Sequence, residues 1–213
     1  TIDYLEQPGK LRENIRDNLY SPLVLAILSK KYNIHYTYLG TGCIFTYDET
    51  HLYEEESNGF TEESRPNFFG SSYSTVKGYT DMIMKMFDNV LNVRIRMPIT
   101  DEFNSRNFIT KITKYEKVCS VPNSMTVLDE LLPIVIKMAL DKKTGTINLT
   151  NPGLISHNEI LTMYKEIVDP NFTWENFTVE EQAKVIKAGR SNNELDTTKL
   201  IRDMPEGVVI NDI

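Results

Sequence analysis

The chain of 213 residues is long enough for one α/β domain, or one domain with a small lobe, and its 40% hydrophobic content supplies a real core. Its net charge of −7, with scattered acids and no run of Lys and Arg, argues against a nucleic-acid or anionic-membrane surface. The longest apolar runs, Leu23 to Leu28 and Leu131 to Ile136, are too short to span a bilayer, and Cys43 and Cys119 as the only cysteines suit a reducing, cytoplasmic setting.

Pro8-Gly9 marks a turn, and the apolar spacing of Ile15, Leu19, Leu23, Ala26 and Ile27 predicts a helix over Leu11–Tyr32 that Pro22 kinks or restarts. Tyr36 to Phe45 reads as a strand, and acidic Asp48 to Arg65 as a loop. A second helix is predicted from Gly70 to Phe87, and a second strand from Val90 to Met97, stopped by Pro98. Strand, helix and strand with connections this long imply parallel pairing in an α/β sheet.

The second half has a different texture. Glu130 to Leu140 reads as a helix in which Pro133 is tolerable only within the first turn, and Thr146 to Thr150 as a short strand. Ser156-His157-Asn158-Glu159 and Thr178-Val179-Glu180-Glu181 are capping boxes for two more helices, the first ending before Pro170 and the second at Gly189. These interrupted helices suggest a smaller lobe over the sheet's edge. The three Asn-x-Ser/Thr sequons, at Asn148, Asn171 and Asn176, read as chance, and the His residues lack metal-ligand spacing, so no metal is expected.

Tyr73 and Lys77 share one helix face, where an ammonium would favour the phenolate and bring a phenol, ordinarily near pKa ~10, towards proton transfer. By itself the pair more often describes a core Tyr beside a solvated Lys. Thr41 stands at the carboxyl end of the first strand, where ligands bind in parallel sheets, and Gly40 and Gly42 around it would let a ligand approach closely.

Thr41, Tyr73 and Lys77 resemble the catalytic set of the extended short-chain dehydrogenase/reductases. Longer stretches narrow the resemblance. They are Gly40-Thr41-Gly42-Cys43-Ile44-Phe45, Arg65-Pro66-Asn67-Phe68-Phe69-Gly70-Ser71, Arg94-Ile95-Arg96-Met97-Pro98-Ile99, Arg106-Asn107-Phe108-Ile109-Thr110-Lys111, Pro122 to Pro133 and Ala188 to Asp196. Nearly end to end, the chain is similar to the bifunctional nucleotide-4-keto-rhamnose 3,5-epimerase/4-reductases, which make UDP- or dTDP-linked L-rhamnose.

That resemblance implies a Rossmann-like doubly wound sheet in residues 1–100. Residues 101–213 would be mainly a sugar-nucleotide lobe, with a helix and strand returning to the sheet. It implies NADPH as cofactor, a nucleotide-4-keto-6-deoxy-hexose as substrate and a homodimer paired through the helices at 11–32 and 70–87. Thr41, Tyr73 and Lys77 correspond to the reductase triad, with Tyr73, Lys77 and Pro98 beside the nicotinamide. Cys43 and Lys111 correspond to the acid/base pair for epimerisation, and Asn107, Arg190 and Asn193 to sugar-nucleotide contacts. Asn18 corresponds to an Asn that supports the catalytic Lys. From the residues alone, Cys43 is also readable as a small buried apolar group and Lys111 as a solvated helix Lys. A plain 4-reductase, or a non-catalytic binding subunit with this fold, would carry much of the same pattern.

No G-x-G-x-x-G or G-x-x-G-x-x-G occurs, and the family pattern would place that phosphate cradle upstream of Thr1, on the order of 60 residues away from completeness. The 213 residues by themselves are therefore expected to bind NADPH weakly. Calorimetric titration of a chain of verified mass checks this, and tight stoichiometric binding would overturn it.

Overall fold

The computed structural model describes residues 2–52, 58–186, 188–204 and 208–213, so Thr1 and part of the acidic loop, residues 53–57, lie outside the described residues. The chain opens with α1 (Ile2–Leu5) and α2 (Leu11–Ile15), winds through a π-helical turn at Arg16–Tyr20, and continues as α3 (Ser21–Lys31). The break expected from Pro22 is this change of winding. Proline has no N–H to give to the carbonyl four residues back, which is that of Asn18. The Thr80 hydroxyl donates to it instead, at 2.6 Å.

Next come β1 (Tyr36–Thr41), α4 (Ser72–Met84), β2 (Val90–Ile95) and the short β3 (Pro98–Ile99). The second half contributes α5 (Phe108–Ile112), β4 (Lys117–Val118), β5 (Thr126–Val127), α6 (Leu128–Leu140) and β6 (Gly145–Asn148). It ends with α7 (His157–Ile167), β7 (Glu175–Asn176), α8 (Val179–Val185) and α9 (Thr198–Asp203). Both predicted capping boxes form. Two local expectations fail. Helix α6 starts at Leu128, which leaves Pro133 beyond its first turn and forgoes a bond to the Asp129 carbonyl. Helix α8 stops at Val185 because Ile186 turns extended, not at Gly189. Gly189 packs against Gly70, its N–H donating to the Gly70 carbonyl at 3.0 Å, where an added Cβ would meet that oxygen at 3.0 Å.

The parallel pairing expected from the sequence is present: β1, β2 and β6 lie in that order, with Tyr36 opposite Val90, Thr41 opposite Ile95 and Arg94 opposite Asn148. Side chains of a strand alternate between faces, and both faces here are covered. On one side Tyr38 and Val90 pack with Ala26 of α3 and Met84 of α4. On the other, Leu91, Val93 and Ile147 pack with Leu131, Ile134, Val135 and Met138 of α6 and Leu200 of α9. A separate core of Ile112, Val118, Met125, Ile160 and Leu161 joins α5 and α7. Among the described residues β1 has no strand on its other edge, and Leu39 there is 53% exposed. No helix among the described residues is long and apolar enough to cross a membrane.

One ion pair sits inside this arrangement. Arg94 of β2 donates to both oxygens of Asp81 of α4, at 2.9 and 2.8 Å, with both side chains buried. Asn92 adds a bond to the same carboxylate at 2.8 Å. Removing one partner strands a buried charge. Asp81→Ala is expected to lose about 3–5 kcal/mol in urea unfolding, and a loss under about 1 kcal/mol would mean the pair does not anchor α4.

Candidate active site

Thr41 closes β1 at its carboxyl end, 7% exposed, where its hydroxyl accepts the Cys43 N–H at 3.0 Å. The N-terminus of α4 faces this point. Ser71 caps the helix by accepting the Ser74 N–H at 3.0 Å, and the Glu6 carboxylate accepts the N–H groups of Ser72 and Tyr73, each at 3.1 Å. A carboxylate there meets both unpaired amide donors and the positive end of the helix dipole. Tyr73 is thereby held with its hydroxyl towards that of Thr41.

Lys77 follows one turn later and is buried. Its ammonium does not turn to Tyr73. It donates to the Tyr38 hydroxyl and to the Leu39 carbonyl, the latter at 3.2 Å, and lies over the Tyr38 ring. Burial draws Lys77 from 10.5 down to about 8, with Asp81 and Cys43 pulling the other way. Burial likewise drives Tyr73 above the ordinary phenol value; Cys43 adds to that, and the Thr41 bond only partly offsets it. The lowered phenol expected from Lys77 is thus not found in this state. Tyr73 is a protonated acid, because burial outweighs an ammonium that is engaged elsewhere.

The glycines beside Thr41 are closely approached by distant side chains. A Cβ at Gly40 would meet Asn92 Oδ1 at 2.7 Å, and one at Gly42 would meet Leu195 Cδ1 at 2.9 Å. They make room for the protein's own side chains. Cys43 lies half-buried, its sulphur accepting from Arg96 Nη1 at 3.6 Å. Lys111, half-buried in the last turn of α5, makes no side-chain hydrogen bond or ion pair among the described residues.

Asn107 caps α5 and donates to the carbonyls of Thr100 and Glu102 at 2.7 and 3.0 Å. Asn193 is fully buried and donates to the carbonyls of Gly42 and Phe45 at 3.0 and 2.9 Å, clamping the loop that carries Cys43. Arg190 is ion-paired with Asp3 at 3.2 Å and lines a groove of about 280 Å³ with Phe68, Gln182, Gly189 and Asn192. Pro98 is exposed, turned out by Met97, whose positive φ of 40° is strained for a residue before proline. Asn18, in the π turn, donates to Asn14, which donates to Ser72 at the start of α4.

Three neighbours of the site carried no readable signal. Tyr38 lies on the strand's core face, Arg96 follows β2 as one cation among many, and His157 occupies a capping box. In space His157 stacks at an angle on Phe108, and burial, with Arg96 adding to it, lowers its pKa to about 4. No group of three or more His, Cys, Asp or Glu able to hold a metal occurs among the described residues.

No family model matches the sequence. Protein L780 of Acanthamoeba polyphaga mimivirus is 61% identical over 201 residues, covering 94% of this chain and 69% of that protein. The crystal structure of the L780 UDP-rhamnose synthase superposes with a TM-score of 0.93 at 58% identity, over 100% of this chain and 73% of that one. The chain belongs to the rhamnose synthase family. A bifunctional dTDP-4-dehydrorhamnose 3,5-epimerase/dTDP-4-dehydrorhamnose reductase of Arabidopsis thaliana is 54% identical over 195 residues, 91% of this chain and 64% of that enzyme. The trifunctional Arabidopsis rhamnose enzymes are longer still, and the chain spans under a third of them, 29% in one case. A dTDP-4-dehydrorhamnose reductase of Bacillus anthracis in complex with NADP shares the fold, with a TM-score of 0.71 at 16% identity. Within the rhamnose synthase family the Rossmann-like sheet is thus placed by the relatives as well as by the strand order.

The depressed amine of Lys77 makes stability depend on pH. Its contribution is present above 10.5 and is lost as the pH falls towards about 8, because the unfolded chain then binds the proton more readily. Lys77→Met is expected to gain on the parent by up to about 3 kcal/mol between alkaline and neutral pH in paired urea titrations. A difference that stays flat with pH would show that the ammonium is not desolvated.

Proposed function

We propose that the chain carries the reacting groups for 3,5-epimerisation and NADPH-dependent 4-reduction of a UDP- or dTDP-linked 4-keto-6-deoxy-glucose, giving the nucleotide-L-rhamnose. One observation carries this reading: Thr41 closes β1 at its carboxyl end, accepting the Cys43 N–H, and Tyr73 and Lys77 of α4 come in against that same end of the strand. Residues 1–100 supply the sheet and triad in this reading. Residues 101–213 supply mainly the substrate lobe, with α6 and β6 returning to the sheet.

The nicotinamide end of NADPH fits the described residues. Tyr73 and Lys77 stand one turn apart on α4, and the exposed Pro98 offers an apolar wall where the chain leaves β2. When bound, the cofactor supplies a hydride to carbon 4. Tyr73, protonated through burial, donates its proton to the 4-oxygen, which Thr41 holds. Lys77 would exchange its Tyr38 contact for the ribose hydroxyls and the developing phenolate. The 4-keto group acidifies the protons on carbons 3 and 5, and inversion requires proton removal on one face and return on the other. Cys43 and Lys111 are assigned those two tasks. Arg190 would release Asp3 for the nucleotide's phosphates, with the amides of Asn107 and Asn193 behind the pocket.

Pairing of two copies through α2, α3 and α4 is part of this reading, supported by exposed Leu11, Ile15, Leu25 and Tyr79 on those helices. The cysteines, both free, suit a cytoplasmic enzyme.

The test supplies the 4-keto-6-deoxy sugar nucleotide and NADPH in deuterated water, following cofactor oxidation and deuterium at carbons 3 and 5. Tyr73→Phe is expected to slow oxidation by at least about 100-fold. Cys43→Ser is expected to suppress exchange and spare reduction of pre-epimerised substrate; an equal fall in both would remove Cys43 from the epimerisation. Neither oxidation nor exchange by the parent would leave a binding protein.

A further inference from the structure

Two arginines follow each other on one side of β2 and its extension, and the fold treats them differently. Arg94 is neutralised by Asp81. Arg96, 1% exposed, has no carboxylate partner among the described residues. It donates to Ser191 Oγ at 3.2 Å, to the Ser191 carbonyl, to Asn123 Oδ1 and to Cys43 Sγ at 3.6 Å, while its Nε has no partner. A buried guanidinium without an anion costs several kcal/mol that a neutral side chain of similar size would avoid. Three titratable groups surround it. His157 is kept neutral by its burial, and the Tyr47 hydroxyl donates to the Pro122 carbonyl at 3.0 Å. Cys43 is the remaining group, and among the described residues its sulphur is the ionisable acceptor of an Arg96 N–H.

We propose that Arg96 is a positioning residue for epimerisation, which holds the Cys43 sulphur in place and balances the negative charge on it whenever its proton is away. The inference rests on the reading of Cys43 as an acid/base group. In that step the thiolate takes the proton from carbon 3 or 5, the C–H electron pair moves into the enolate of the 4-keto group, and an S–H bond forms. The charge leaves sulphur for the sugar oxygen, and a proton from the Lys111 ammonium, delivered to the opposite face, returns the sugar to a ketone. The thiol then gives its proton to water and the Lys111 amine takes one from water, which restores the thiolate beside Arg96 and the ammonium. A charged donor fixed by Ser191 and Asn123 needs no rearrangement during this cycle. The clamp by Asn193 serves the same end, since it fixes the loop from Gly42 to Phe45 and bonds Ser191 Oγ at 3.0 Å.

The test compares Arg96→Gln, Arg96→Lys and Cys43→Ser in the full chain. It reads deuterium exchange at carbons 3 and 5, NADPH oxidation with pre-epimerised substrate, and iodoacetamide alkylation of Cys43 relative to Cys119 by mass spectrometry. Arg96→Gln is expected to lower exchange by about 100-fold and to slow alkylation of Cys43, with reduction retained. Arg96→Lys, which keeps the charge, is expected to recover most of the exchange. Unchanged exchange in Arg96→Gln, or an equal fall of exchange and reduction in both variants, would overturn the proposal. If Arg96→Gln does not fold, Arg96→Lys decides: exchange within about tenfold of the parent supports the role, and its loss overturns it. Full exchange in Cys43→Ser would instead remove the reading of Cys43 on which this rests.

Discussion

The buried pair between Arg94 and Asp81 ties the sheet to the helix that carries Tyr73 and Lys77. Tyr73, Lys77 and Asp81 recur at one-turn spacing and therefore lie along one stripe of α4. Anchoring Asp81 to β2 turns that whole stripe towards the sheet, which is how Lys77 comes to lie over Tyr38 and Tyr73 to meet Thr41. The opposite end of the stripe is held by Glu6 at the helix N-terminus. A helix pinned at both ends leaves its Tyr and Lys little freedom, and fixed geometry is what proton transfer requires.

The same constraint explains why the site is electrostatically tense. Burial raises the Tyr73 phenol and lowers the Lys77 amine, so both rest closer to their neutral forms than they would in water. A neutral phenol is the form that can give a proton to a carbonyl oxygen being reduced. Around them, Asp81 is neutralised by Arg94, whereas among the described residues Arg96 donates to neutral acceptors and a thiol. The site thus carries an excess of buried positive charge beside Cys43, a favourable setting for chemistry that passes through anions.

The second half of the chain frames this centre. Asn123, Ser191 and Asn193 come from distant segments and converge on Arg96 and the loop from Gly42 to Phe45. These segments of the second half therefore support the loop that carries Cys43 directly. Arg190, by contrast, is surface-paired with Asp3, a contact that a polyanion can replace at small cost.

Much was legible from sequence for definite reasons. Apolar periodicity and long connections determined a parallel α/β sheet, capping boxes marked α7 and α8, and Pro22 announced a break, since a missing N–H acts within one turn. Long motif stretches determined the family. Glycines were legible as close approaches, but what approaches Gly40 and Gly42 depended on Asn92 and Leu195, far away in the chain. The protonation of Tyr73, the choice of Tyr38 as partner for Lys77, and the isolation of Arg96 were decided only by the tertiary structure. Desolvation and charge pairing depend on what surrounds a group in space, and spacing along the chain carries no record of that.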